Sequence, residues 1–395
     1  MRTDPSKYSM HLYIFVFYMT QGAFNPYLSY WFAGQGLDNK QIGLLFSVGP
    51  VLGLFIQPLW GMLCDRYRLE RVILILSTVL APVFAYGYLA AGPRFAVYML
   101  AAWGLALTYS AMSPIGEALT VRHAEKHGFS YGGIRMLGSI SFALTSTGMG
   151  MLYARGGLVQ MFSVYAGLMA LLLVTLLFME KRPGIEARKR TGSLLSGIRP
   201  FLAQRRLLLF LLLVFGISLG SAANNVFFPV YVGEMGEGAA ARIGLLNTIA
   251  ALSELPLFLL AGRLIARFGP FLLLTLVGTA ASLRWLLLST EPPFWLLATG
   301  QLLHGVTFAL FMTIGIRYMH ETSPPQLGTT AQTLFAVVSA NLAMLVASNT
   351  GGWLIDSYGF PPLYRITAGI SMACAIGFAL MLRGQRRQSA LGATG

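Results

Sequence analysis

Apolar stretches of about twenty residues recur along the whole 395-residue chain, and each is long enough to cross a ~30 Å hydrocarbon core as a helix. In lipid every backbone N–H and C=O must find a partner inside the protein, so only helices and closed barrels span a bilayer. Barrel strands run about ten residues and alternate in polarity, a pattern absent here. The chain therefore predicts an all-α polytopic membrane protein. With 11% charged residues and a mean hydropathy of +0.66, it lies outside soluble globular composition. Cys64 and Cys374 sit at or in apolar segments and suggest neither a disulfide framework nor a metal site.

Twelve spans are predicted, at about 8–31, 41–63, 71–91, 94–118, 131–153, 158–179, 207–232, 243–266, 270–289, 293–318, 327–353 and 362–382. The first is too long for a signal-peptide core and lacks a small-residue cleavage site, so it is expected to be retained. The polar stretch EKRPGIEARKRTGSL and the RPFLAQRR that follows divide the chain. The expected organisation is an N-terminal six-helix bundle (1–180), a linker (181–206), a C-terminal six-helix bundle (207–383) and a short tail (384–395). The basic linker is either solvated or laid on anionic lipid.

The formal charge of +14 does not indicate nucleic acid. With both termini in the cytoplasm, Lys40, Arg94, Arg155, Arg242 and Arg365 fall outside, and Arg135 and Arg284 within the membrane. All other Lys and Arg are then cytoplasmic, which is the positive-inside pattern of a topology in a cytoplasmic (inner) membrane.

Five ionisable residues lie inside apolar segments: Glu117, Arg135, Glu254, Arg284 and His304. A charge at the bilayer centre costs roughly 3 kcal/mol on insertion scales, so each needs a partner or a water-filled cavity. Two acids against two arginines make a nearly neutral set. Glu117 and Arg135, on adjacent antiparallel helices, form either a structural ion pair or part of a solute or proton site. Arg135 and Arg284 can hold a carboxylate or a polyhydroxyl solute. Gln21 and Asn25, one turn apart, and Asn224 and Asn225 offer neutral donors and acceptors. Phe142, seven residues after Arg135, is placed on the same helix face to stack on a ring or simply to pack. Glu254 precedes Pro256. A glutamate that can change partners there is suited to carry a proton, with His304 as modulator; the alternative is a static partner of Arg284 or His304.

The segment Gly61-Met-Leu-Cys-Asp65-Arg66-Tyr-Arg68-Leu-Glu-Arg71 joins spans 2 and 3. It is echoed between spans 8 and 9 by Gly262-Arg-Leu-Ile-Ala-Arg267-Phe, without the acid. The echo suggests parallel repeats with a site near the midplane. The segment resembles the signature loop of the major facilitator superfamily (Gly-x-x-x-Asp-Arg-x-Gly-Arg), with Arg68 where that family has glycine. The resemblance implies that Asp65, Arg66 and Arg71 form a cytoplasmic gating loop.

Within that superfamily the chain is similar to the lactose-permease-like group, which includes sugar–proton, nucleoside–proton and phenylpropionate permeases. Gly22-Ala-Phe-Asn-Pro-Tyr, Gln57-Pro-Leu-Trp-Gly, Arg135-Met-Leu-Gly-Ser and the Arg284/His304 pair carry the likeness. Glu117 and Arg135 stand at the group's substrate-binding acid and arginine. Where lactose permease has a proton-carrying glutamate one turn after the histidine, this chain has Thr307; where it has a lysine one turn before, Gln301. Phe142 replaces the tryptophan that stacks on galactosyl sugars, which argues against galactoside specificity.

These features predict a secondary transporter working by alternating access, moving a small polar or anionic organic solute (aromatic acid, nucleoside or sugar) by proton symport. The alternative is a proton-driven exporter of amphipathic compounds. No clustered acids or nucleophile–base pair indicates an enzyme, and no phosphate-binding loop indicates an ATP-driven pump. No cofactor or metal is expected. The partners expected are a solute, protons and the bilayer, with no nucleic acid and with function as a monomer.

Overall fold

A computed structural model describes residues 5–179, 204–323 and 328–392 of the chain; residues 181–203 of the expected 181–206 linker and the Asp65 side chain lie outside the described residues. Among the described residues the regular structure is entirely helical. In chain order the helices are α1 (Ser9–Gly34), α2 (Asn39–Tyr67), α3 (Glu70–Leu89), α4 (Phe95–His127), α5 (Tyr131–Gly156) and α6 (Gln160–Leu177). They continue as α7 (Arg205–Gly233), α8 (Ala239–Phe268), α9 (Pro270–Leu288), α10 (Phe294–Thr322), α11 (Thr330–Tyr358) and α12 (Phe360–Gly392). Ten of them are long and apolar enough to cross a membrane. The two below that measure, α1 and α5, carry His11, Gln21 and Asn25 or Arg135 and several Ser, Thr and Gly, and pack on each other.

Local chemistry sets the ends. Asp38 caps α2: its carboxylate accepts from the Gln41 amide at 2.7 Å, and the Gln41 side chain accepts from the Asp38 amide at 3.2 Å. At the other end of α2, Arg68 adopts the left-handed conformation at φ 55°, the position where the signature loop has glycine. The stretch between the expected spans at 94–118 and 131–153 is mostly helix. Nothing breaks α4 before Gly128 at φ 70°, and Lys126 and His127 complement the negative end of the helix dipole.

The chain divides into two compact units. The first comprises Met1–Lys189 with Val226–Ala251, and the second Arg190–Asn225 with Leu252–Gly395. The first unit thus takes in the facing ends of α7 and α8. Its core is aromatic: Phe24 stacks on Tyr165 at 4.4 Å, and Phe162 meets Trp31 edge-on at 4.9 Å. Here α5 and α8 cross at backbone contact. A Cβ on Gly150 would come within 2.6 Å of the Ala240 carbonyl, and one on Gly244 would strike the Ser146 carbonyl. The Thr147 and Thr248 hydroxyls meet at 2.7 Å across the seam. Glycine is required at this close approach because any side chain would separate the helices.

The second unit packs Phe210, Phe271, Phe311, Phe335 and Phe378 in one apolar cluster. Two of its helices are irregular. In α10 the chain turns at Leu302–Leu303 and continues as π-helix over Val306–Leu310; α11 has a π segment over Val337–Leu342. Such bulges interrupt the i→i−4 ladder and often mark functional positions.

Candidate functional site

The intramembrane charges gather in two clusters, one in each unit. In the first unit, the turn at Gly128 and the Ser130 cap bring α5 back beside α4. The Arg135 Nε then lies 3.5 Å from a Glu117 carboxylate oxygen, both side chains being partly exposed. Tyr131 donates to the other oxygen at 2.6 Å, and Tyr18 donates to the first at 3.2 Å. The Arg135 guanidinium sits 4.3 Å over the Tyr18 ring. Glu117 therefore receives two hydroxyl donors and faces a cation.

On α1, the exposed Asn25 donates to Gln21 Oε1 at 2.5 Å. Tyr18, Gln21 and Asn25 follow i, i+3, i+7 spacing and share one helix face. Phe142 is half-buried, and its backbone is pressed against Gly22, whose Cβ would lie 2.7 Å from the Phe142 carbonyl. Helix contact at this position is thus observed.

In the second unit, Gly305 lets α10 touch α8: its amide donates to Ser253 Oγ at 2.9 Å, and a Cβ there would collide with the Ser253 carbonyl. This contact sets the next residue of α8, Glu254, against the preceding residue of α10, His304. His304 Nε2 lies 3.2 Å from Glu254 Oε1, and Phe308 stacks on the imidazole at 5.4 Å. Arg284 Nη1 reaches His304 Nδ1 at 3.0 Å and Thr307 Oγ1 at 3.3 Å, while Nη2 donates to Gln301 Oε1 at 2.7 Å.

The protonation pattern follows from valence. A guanidinium only donates, so His304 Nδ1 accepts; the neutral imidazole then carries its proton on Nε2 and donates to Glu254 Oε1. Arg284 is 3% exposed, and its guanidinium lies 4.8 Å from the Trp285 ring. Trp285 in turn stacks on Tyr364, whose hydroxyl donates to the buried Asn224 at 3.4 Å. Its neighbour Asn225 is exposed.

Residue by residue, the structure joins Glu117 with Arg135, Gln21 with Asn25, and Glu254 with His304 and Arg284. Asn224 bonds within the packed interior of its unit. Of the residues expected to form a gating loop, Arg71 donates to the Leu177 carbonyl at 3.3 Å, binding α3 to the end of α6, and Arg66 lies exposed over Tyr67 at 5.3 Å. The loop is supported by an ion pair of Glu70 with Arg122 at 3.5 Å.

Sequence reasoning missed Tyr18 and Tyr131 as ligands of Glu117. Tyr131 precedes Arg135 by four residues, and Tyr18 shares the face of Gln21 and Asn25; those spacings were the available signals. Gln301 and Thr307 stood out as departures and turn out to be the side-chain oxygens that hold Arg284. Among the described residues no cluster of His, Cys, Asp or Glu could hold a metal ion.

An all-helical chain with paired charges inside apolar helices defines a multi-pass membrane carrier. The profile of the MFS_1 like family matches residues 7–366, and the chain belongs to that family, within the major facilitator superfamily. A maltose permease of Geobacillus stearothermophilus is 30% identical over 388 residues, 96% of this chain and 95% of the permease. A probable 3-phenylpropionic acid transporter of Escherichia coli (strain K12) is 27% identical, over 87% of this chain and 90% of its own length. The crystal structure of the nucleoside transporter NupG superposes with a TM-score of 0.82 at 17% identity, covering 95% of this chain and 98% of that one. At that identity the likeness establishes the fold. These relatives are permeases, and the protein is a secondary transporter rather than an enzyme.

Proposed function

We propose that the protein imports an uncharged polyhydroxyl solute, of the sugar or nucleoside class, by symport with protons. The observation that carries this reading is the charge pairing inside each unit. Arg135 is answered by Glu117, and Arg284 is buried and answered through His304 by Glu254. A solute carboxylate would meet no uncompensated cation. A neutral solute finds hydroxyls, amides and partly exposed charged groups ready for bidentate hydrogen bonds in the first unit at Glu117, Arg135, Tyr131, Gln21 and Asn25.

The proton is assigned to Glu254. Among the described residues Glu117 accepts from two tyrosines and faces a guanidinium, whereas Glu254 is met by the imidazole of His304 alone and is the freer of the two to change partners. Alternating access needs a bistable element. The glycine seam of α5 and α8 is the candidate for such an element: it is held by backbone contact, by the Thr147–Thr248 hydroxyl pair and by the Thr248 hydroxyl on the Ala143 carbonyl. The reading places the two six-helix halves, 1–180 and 207–383, about the 181–206 linker, with both termini cytoplasmic, in the inner membrane, functional as a monomer.

The test is uptake of labelled maltose, uridine and 3-phenylpropionate into proteoliposomes with and without an imposed inward proton gradient. Gradient-driven accumulation of maltose or uridine supports the reading. Accumulation of 3-phenylpropionate alone would reject the neutral-solute class, and outward proton-driven movement of a lipophilic dye would favour an exporter.

A further inference from the structure

The acceptors around Arg284 are all neutral: Gln301 Oε1 at 2.7 Å, His304 Nδ1 at 3.0 Å and Thr307 Oγ1 at 3.3 Å. Gln301 and Thr307 are themselves buried, at 3% and 2% exposure. A guanidinium keeps its proton in proteins, and a buried cation with no counter-charge is severely unfavourable. The compensation comes from Glu254, at one remove, through the neutral imidazole. Hydrogen bonds to Gln301 and Thr307 fix the position of the cation without cancelling its charge.

A consequence follows for the empty carrier. If Glu254 takes up a proton, the buried Arg284 charge loses its counter-charge at once, because among the described residues no acid touches the guanidinium directly. The protonated, solute-free unit is thereby disfavoured. A bound solute changes this balance. The edges of Glu254 and His304 are partly exposed, at 14% and 21%. A solute hydroxyl oxygen that accepts the His304 Nε2 proton keeps the imidazole in the tautomer that Arg284 requires, while the carboxyl is free to protonate.

We propose that Gln301 and Thr307 are positioning residues that suppress proton leak: by holding Arg284 with neutral oxygens they make its charge depend on Glu254, and so forbid protonation without solute. This rests on the assignment of the proton to Glu254. An acid at either position would neutralise Arg284 directly and release Glu254 from that duty.

The experiment uses the full chain in proteoliposomes with a trapped pH dye, a potassium/valinomycin clamp and an acid step outside, with no solute present. The wild type holds the gradient. Gln301→Glu and Thr307→Asp, which place a carboxylate on the same guanidinium from two sides, raise solute-free proton entry by about tenfold or more. Gln301→Asn, which keeps a neutral oxygen, stays near wild type. Adding Glu254→Gln to Gln301→Glu closes the leak again.

If both acid variants elute as monodisperse protein and hold the gradient as the wild type does, the proposal is overturned while the Glu254 assignment stands. A leak that survives in the Gln301→Glu/Glu254→Gln pair removes Glu254 from the proton path and overturns both. Proteoliposomes carrying Gln301→Glu with Glu254 intact also separate this role from simple packing, because a merely damaged fold would leak equally with Glu254→Gln added.

Discussion

Arg284 and Glu254 carry opposite charges in one unit, and a single neutral imidazole joins them: His304 stands 3.0 Å from the guanidinium and 3.2 Å from the carboxylate. The imidazole is both acceptor and donor, so the charges are coupled through its tautomer. A direct ion pair would be a static lock. An interposed histidine makes each charge sensitive to whatever else bonds the ring.

Removing the bridge takes the imidazole donor from Glu254 and leaves the buried Arg284 cation with only the neutral oxygens of Gln301 and Thr307. His304→Leu is expected to destabilise the protein by about 3 kcal/mol, the cost of breaking a buried pair. His304→Gln, whose amide can accept from Arg284 and donate to Glu254, should recover much of that loss. Both cysteines, Cys64 and Cys374, are buried. Thermal unfolding followed with a thiol-reactive dye reads the difference directly.

The tyrosines around Glu117 predict graded losses. Tyr131 bonds the carboxylate at 2.6 Å and Tyr18 at 3.2 Å. A hydrogen bond to a charged group contributes about 1.5–3 kcal/mol when buried, and these groups are partly exposed, so the lower end applies. Tyr131→Phe is therefore expected to weaken solute binding by roughly tenfold, and Tyr18→Phe by less. Equilibrium binding by calorimetry checks the order.

Much of this was legible in the sequence, for physical reasons. Apolar runs of membrane length leave the backbone no choice but helix, and a charge inside one demands a partner, so the five ionisable residues pointed to the two charged clusters. What could not be read was which oxygens hold Arg284. Gln301 and Thr307 join it through a turn and a π segment in α10, an irregularity that helical periodicity does not register. The end of α4 was missed for a simpler reason. Polar residues from Arg122 to His127 read as loop, yet charged residues at a helix C-terminus favour its continuation until a glycine stops it.

Arg68 holds a left-handed backbone without being glycine. That conformation costs an L-residue roughly 1–2 kcal/mol, partly offset by the greater unfolded-state entropy of glycine. Arg68→Gly should thus stabilise the protein by up to about 1 kcal/mol, seen as a higher unfolding temperature with transport retained. A lower unfolding temperature would show that the Arg68 side chain contributes more than its backbone costs.

The seam between α5 and α8 has no room for a side chain at Gly244, whose Cβ would strike the Ser146 carbonyl and lie 2.7 Å from the Tyr27 hydroxyl. Gly244→Leu is expected to hold the seam apart. In a background with Cys64 and Cys374 replaced by serine, Thr147→Cys should then react faster with an impermeant maleimide than it does with Gly244 present. Equal rates would show that the seam is not the closed element of the transport cycle.

The most direct test of the coupling is proton movement that accompanies solute. Full-length protein is reconstituted with a trapped pH dye, and maltose or uridine, whichever accumulates, is added outside at equal pH. The account predicts internal acidification with the wild type and none with Glu254→Gln, which should still exchange labelled for unlabelled solute. Equal acidification by both proteins, or solute entry without acidification in the wild type, would contradict it.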